Sequence, residues 1–178
     1  MSSNAKYLQV KNLVLCALFA ALITIGTYIK IPTPLLPLTF QTLFVVLSGL
    51  VLGKKYGAIS VCVYVLAGLI GLPVFTGSAL NPTFGYIIGF IPGAWLAGLI
   101  AEKFKPCFKT FTLGAVAGIA VIYAFGIPYY YLMSKFYLGN EIGAKTLLIY
   151  FVIMPMPGDI FKSILAGLIA ARLKIMRS

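Results

Sequence analysis

Only three carboxylates, Glu102, Glu141 and Asp159, occur in the 178 residues, and there is no histidine. Acid–base or metal chemistry would have to come from that short inventory. Asp159 lies inside an apolar stretch, where a carboxylate costs about 2.5–3.5 kcal/mol on insertion scales and normally faces a cavity or a cation. Lys162 follows three residues later, on the same helical face. Two readings are open: a self-neutralising pair that makes insertion bearable, or an acceptor and a donor presented together to a polar ligand. Pro155, Pro157 and Gly158, just ahead of the pair, interrupt a helix and free backbone groups beside it, which favours the second.

Two more polar groups stand at helix entries. Thr39, Gln41 and Thr42 open one apolar run, and Asn81, Thr83 and Tyr86 flank Pro82 at the start of another. Either group alone also fits a helix cap. No catalytic constellation is evident: the scattered carboxylates cannot assemble a zinc or two-metal centre, and no G-x-x-x-x-G-K-[ST] phosphate loop is present. No enzyme activity, cofactor or metal is therefore expected. Cys16, Cys62 and Cys107 are odd in number and widely spaced, which suits neither a disulfide framework nor a metal site.

The elements that must hold these groups are membrane helices. Hydrophobic residues make up 61% of the chain and charged residues 10%, with a mean hydropathy of +1.04. Soluble domains carry about 25% charged residues, so this inventory cannot cover a water-facing surface. Hydropathy and Gly, Pro and Lys punctuation predict a single transmembrane domain over 1–178, all-α, with six spans near 11–29, 38–53, 56–72, 84–101, 112–133 and 146–173. The first is read as a retained helix, not a cleaved signal, because more membrane follows it. Six spans put Lys6, Lys11, Lys54, Lys55, Lys103, Lys105, Lys109, Arg172, Lys174 and Arg177 on one side, against Lys30, Lys135 and Lys145 on the other. That asymmetry predicts cytoplasmic N- and C-termini. The formal charge of +11 is thus spread over span ends, which argues against a nucleic-acid partner.

Of the predicted loops, the cytoplasmic ones are tight and basic. The external ones, at 31–37 and 73–82, are rich in Pro and Gly and are expected either to cap a pocket or to lie as solvated surface. Small residues recur four apart at Ala17 and Ala21, Gly49 and Gly53, Gly85, Gly89 and Gly93, and Gly114 and Gly118. Such pairs pack helices internally or form an external docking face. Tyr129, Tyr130 and Tyr131 read as an interfacial belt, and Trp95 as facing lipid or packing.

Several strings together resemble one family, the biotin-specific S components (BioY) of energy-coupling factor transporters. They are Pro37-Leu38-Thr39-Phe40-Gln41-Thr42-Leu43 leading to Gly49-Leu50-Val51-Leu52-Gly53, then Gly68-Leu69-Ile70-Gly71-Leu72-Pro73-Val74-Phe75, Pro82-Thr83-Phe84-Gly85-Tyr86 and Gly158-Asp159-Ile160-Phe161-Lys162. The resemblance implies the S-component fold in the cell membrane of a prokaryote. It further implies biotin capture from outside, a transmembrane coupling protein and two cytoplasmic ATPases as partners, and delivery of biotin inward. It places ligand contacts on Asn81, Tyr86, Asp159 and Lys162, with Gln41 closing the site and Phe75 covering the thiophane ring. It makes Ala17 and Ala21 the docking pair for the coupling protein. The alternatives are an S component for thiamin or riboflavin, a stand-alone proton-coupled carrier using Asp159, and a membrane enzyme.

Overall fold

A computed structural model describes residues 3–31, 38–75, 81–139 and 143–175. The chain is helical almost throughout: α1 (Ser3–Tyr28), α2 (Gln41–Leu69), α3 (Phe84–Lys103), α4 (Phe108–Phe136), the short α5 (Ala144–Leu148) and α6 (Met156–Ile175). A two-residue antiparallel ladder, β1 (Lys30–Ile31) on β2 (Leu38–Thr39), joins α1 to α2. Among the described residues, five helical stretches are long and apolar enough to cross a membrane: Gln9–Tyr28, Gln41–Leu69, Phe84–Lys103, Phe108–Phe136 and Lys145–Leu173.

Six were expected, and the difference lies in α2. Gly53 inside it has φ 84° and ψ 173°, a backbone that L side chains rarely adopt. The chain reverses there. A Cβ added to Gly57 would lie 2.5 Å from the Gly49 Cα, although eight residues of straight helix span about 12 Å. Gln41 likewise bonds Tyr64 at 2.6 Å across 23 residues. α2 is therefore a hairpin of two arms meeting at Gly53, and this glycine acts as a turn rather than as a packing residue. The second arm begins with unpaired N–H groups, and Glu102 on α3 accepts one of them, Lys54 N–H, at 2.9 Å. Its other oxygen lies 3.4 Å from Lys54 Nζ. Glu102 thus pairs with Lys54 across helices, while Glu141 lies outside the described residues.

Small residues bring the helices together. Gly49 packs on the α3 backbone at Ala94 and Gly98, Gly85 fits under the Tyr129 ring, and Gly89 and Gly93 meet α4 around Ile122 and Gly118. Gly114 faces Leu50 and Ala97. In these pairs the internal-packing reading holds, because close backbone approach gains dispersion contacts where lipid offers no hydrophobic drive. Ala17 and Ala21 differ, both being exposed on α1 beside Leu13, Val14 and Leu18. The opposite face of α1, with Cys16, Phe19, Ala20, Ile23 and Thr27, is buried.

The aromatic-belt expectation fails at Tyr130. Its ring is buried and packs against Phe151 with centroids 4.2 Å apart, so core space at that level outcompetes the interface. Tyr131 and Trp95 do face outward.

Gly49→Ala is expected to lower stability by about 1–3 kcal/mol, since the added methyl meets α3 backbone. Gly143→Ala, with φ −65° and nothing among the described residues within 4 Å of its Cβ position, should leave stability unchanged. Thermal unfolding of both variants in detergent checks this.

Candidate functional site

The last apolar stretch does not run as one helix. After α5 the chain widens into a π-helical segment, Ile149–Ile153, and Met154 N–H bonds Ile149 O at 2.9 Å. Pro155 has no N–H to continue the ladder, and α6 restarts at Met156. Asp159 consequently sits in the first turn of α6, where a negative charge opposes the helix dipole favourably. Its own N–H bonds Pro155 O at 3.0 Å, and its carbonyl accepts from Ser163 Oγ at 2.7 Å. The Pro155, Pro157 and Gly158 cluster therefore creates a helix start within the last apolar stretch, with the carboxylate just inside it.

Asp159 and Lys162 are both 7% exposed, and Lys162 Nζ lies 2.5 Å from Asp159 Oδ1. The ammonium also donates to Thr42 Oγ1 at 2.8 Å and to Thr39 O at 3.1 Å, so all three of its hydrogens have acceptors. The second carboxylate oxygen, Oδ2, accepts from the Tyr123 hydroxyl of α4. A pair that reaches β2, α2 and α4 does more than neutralise itself within α6.

A cavity of ≈ 770 Å³ of empty space, counted to its open mouth, surrounds this pair. Gln41, Phe75, Asn81, Tyr86, Asp159 and Lys162, expected from the sequence, all line it. They come from α2, the segment after it, the turn into α3, α3 itself and α6. The cavity occupies one end of the bundle, and the Gly53 turn with Lys54, Lys55 and Glu102 occupies the other.

Each wall is fixed in a different way. Gln41 Nε2 donates to Tyr64 OH at 2.6 Å, and the Tyr64 hydroxyl lies 3.3 Å from both Thr27 Oγ1 and Val74 O. One tyrosine thereby ties α1, both arms of α2 and the segment after α2. Tyr28 OH adds a bond to Pro73 O. Phe75 folds back over Gly68, whose missing Cβ makes room for the ring, and stands edge-on to Tyr64 and Phe84 at 5.3 and 6.0 Å. Asn81 Oδ1 accepts from Thr83 N–H at 3.1 Å and Thr83 Oγ1 at 3.0 Å, capping the turn into α3. The Tyr86 hydroxyl is buried without a hydrogen-bond partner among the described residues.

Sequence reasoning missed Tyr123, Tyr64 and Thr27. A signal existed for the two tyrosines: each carries a hydroxyl well inside an apolar run, away from the interface where Tyr usually sits, whereas Thr27 stands at the end of its run. Residues 32–37 and 76–80 of the two Pro- and Gly-rich segments expected to be external lie outside the described residues. No three of His, Cys, Asp and Glu gather around a common point among the described residues.

Comparison with known proteins decides the family, because the BioY family profile matches residues 1–178. The chain belongs to the BioY family. This BioY-family chain is 43% identical over 171 residues to the biotin transporter BioY of Thermotoga maritima, covering 92% of this chain and 96% of that one. It is 38% identical over 174 residues to a probable biotin transporter BioY of Lysinibacillus sphaericus, covering 94% and 89%. In three dimensions it resembles the crystal structure of the S-component for biotin from an ECF-type ABC transporter. The TM-score is 0.83 at 30% identity, over 98% of this chain and 94% of the other. This BioY-family chain therefore has the S-component fold.

Asp159→Asn is expected to cost about 3 kcal/mol or more, because Lys162 then remains as a buried cation without a counter-charge. Adding Lys162→Met should recover most of that loss. Unfolding midpoints of the single and double variants measure both effects.

Proposed function

We propose that this chain is the substrate-binding membrane subunit for biotin uptake, capturing biotin from outside and delivering it inward with an ATP-driven energy-coupling module. The observation that carries the reading is the buried Asp159–Lys162 pair set in an open cavity beside Asn81, Gln41, Phe75 and Tyr86. The groups match biotin: its ureido ring offers two N–H donors and one carbonyl acceptor, and its thiophane ring is apolar. Asp159 accepts from the ureido N–H groups, Asn81 or Lys162 donates to the carbonyl, and Phe75 and Tyr86 cover the sulfur-containing ring. The names of the relatives in Thermotoga and Lysinibacillus and of the solved S-component point to the same ligand.

In this reading the two arms of α2 each cross the membrane, giving six crossings with both termini in the cytoplasm. The reversal at Gly53 supports the count. Lys54, Lys55, Lys103, Lys105 and Lys109 gather at the end opposite the cavity, and the positive-inside preference assigns that end to the cytoplasm of a prokaryotic cell membrane. The cavity then opens outward. The chain carries no phosphate-loop motif, so the energy comes from two cytoplasmic ATPases through a transmembrane coupling protein. Ala17 and Ala21, exposed on the outer face of α1, form the contact for that protein. The chain binds and presents its ligand without transforming it.

Purified in detergent without ATPases, the chain is expected to bind biotin and to ignore thiamin and riboflavin. Asp159→Asn and Lys162→Ala should weaken biotin binding by about tenfold to a hundredfold while the protein stays folded. Absence of biotin binding by folded protein would overturn the reading, as would unchanged affinity in both variants. A separate assembly measurement tests the docking face. Ala17→Leu and Ala21→Leu should spare biotin binding but reduce co-purification with the coupling protein, and intact assembly would remove these residues from the contact.

A further inference from the structure

We propose that Tyr123 is a positioning residue that sets the direction from which Asp159 accepts a hydrogen bond from the ligand, a role that rests on reading the cavity as a biotin site. The carboxylate has two oxygens, and each is already engaged by a different helix. Lys162, on α6 itself, holds Oδ1 at 2.5 Å, and Tyr123, on α4, donates to Oδ2. An i, i+3 pair confined to one helix leaves the terminal carboxylate torsion broad and roughly two-fold. A second donor from a neighbouring helix removes that freedom. The plane of the carboxylate is then fixed relative to α4 as well as α6, and its remaining lone pairs keep one orientation in the cavity.

Tyr123 is itself held in place. Its ring stands at 88° to the Tyr86 ring with centroids 5.8 Å apart, an edge-to-face contact. Tyr86 in turn lies against α4 at Gly126, where a Cβ would come within 2.5 Å of the ring. One glycine, two tyrosines and the carboxylate thus form a continuous stack from Gly126 on α4 to Tyr86 on α3, back to Tyr123 on α4 and on to Asp159 on α6. Nothing else among the described side chains donates to Asp159 Oδ2, so with Tyr123 removed the carboxylate is free to turn both oxygens toward Lys162. A ligand N–H must then break that closer pairing before it can be accepted. In the low-dielectric interior of a helical bundle such a competition is costly, because each charge-assisted bond is strong.

Tyr123 also lines the cavity, so a direct ligand contact has to be distinguished from an action through Asp159. A double-mutant cycle makes the distinction. Biotin affinity would be measured by calorimetry in detergent for the wild type, Tyr123→Phe, Asp159→Asn and the double variant, with unfolding midpoints recorded for each. Tyr123→Phe is expected to weaken biotin binding about tenfold, and to weaken it less than about twofold further once Asp159 is Asn. The second readout is selectivity. Preference for biotin over a derivative methylated on a ureido nitrogen should fall about tenfold in Tyr123→Phe, and it decides the matter where Asp159→Asn binds too weakly to weigh. Wild-type affinity in Tyr123→Phe, an equal loss in both Asp159 backgrounds, or an equal loss for biotin and its methylated derivative overturns the positioning role while leaving the biotin site standing. Failure of the wild type to bind biotin overturns both.

Discussion

A carboxylate and an ammonium buried together inside a lipid-embedded bundle constrain the whole arrangement around them. Each charge alone is too costly to insert, and together they still need every remaining hydrogen and lone pair occupied. The pair begins on one helix, but its partners are recruited from β2, α2 and α4. Thr39 gives a backbone oxygen, Thr42 a hydroxyl and Tyr123 a phenol. The ion pair therefore fixes where four separate segments meet, and that meeting point is the floor of the cavity. The local irregularity that makes this possible is the break at Met154 and Pro155, which starts α6 at depth and brings Asp159 to its first turn.

Helix packing supplies the other half of the constraint. Lipid gives helices little reason to associate through apolar area alone, so contact has to come from close approach. Gly49 against Ala94 and Gly98, and Gly93 against Gly118 and Ile122, bring α2, α3 and α4 into backbone contact. The Gly53 reversal would expose the N–H groups of a new helix start, and Glu102 from α3 caps one of them. Small residues thus do two different jobs. Most let backbones meet, whereas Gly53 alone of the helix-interior glycines turns the chain. The cavity lies at the opposite end, lined by the starts of α2, α3 and α6.

Much of this was legible in the amino-acid order, for reasons that differ by residue. Asp159 and Lys162 stood out because charges are rare in apolar runs, and Gln41, Asn81 and Tyr86 because polar residues clustered at helix entries beside Pro and Gly. Those residues share a cavity even though they are far apart in sequence. Tyr123 and Tyr64 gave only a weak signal and Thr27 none, because one hydroxyl in an apolar run resembles a packing or interfacial residue until its partner is known. Tyr130 misled in the opposite direction, reading as interface while its ring fills the core against Phe151. The pattern of small residues predicted that helices approach closely, but not which face of α1 remains open. Only the burial of Cys16, Phe19 and Ile23 shows that Ala17 and Ala21 look outward.

The cavity polar groups are largely satisfied before any ligand arrives, and this bears on how such a site achieves selectivity. Lys162 has acceptors for all three hydrogens, Gln41 is bonded to Tyr64, and Asn81 Oδ1 is committed to Thr83. A pre-paired wall costs little rotamer entropy when a ligand binds, since the side chains are already ordered. It also penalises a ligand that displaces one of these bonds without replacing it. Tyr86 is the exception, with a buried hydroxyl that lacks a partner among the described residues. Leaving a buried hydroxyl unsatisfied costs free energy, which a polar atom placed against it would relieve. The wall thus combines a carboxylate and ammonium held still by their partners with one buried hydroxyl left open to a further contact.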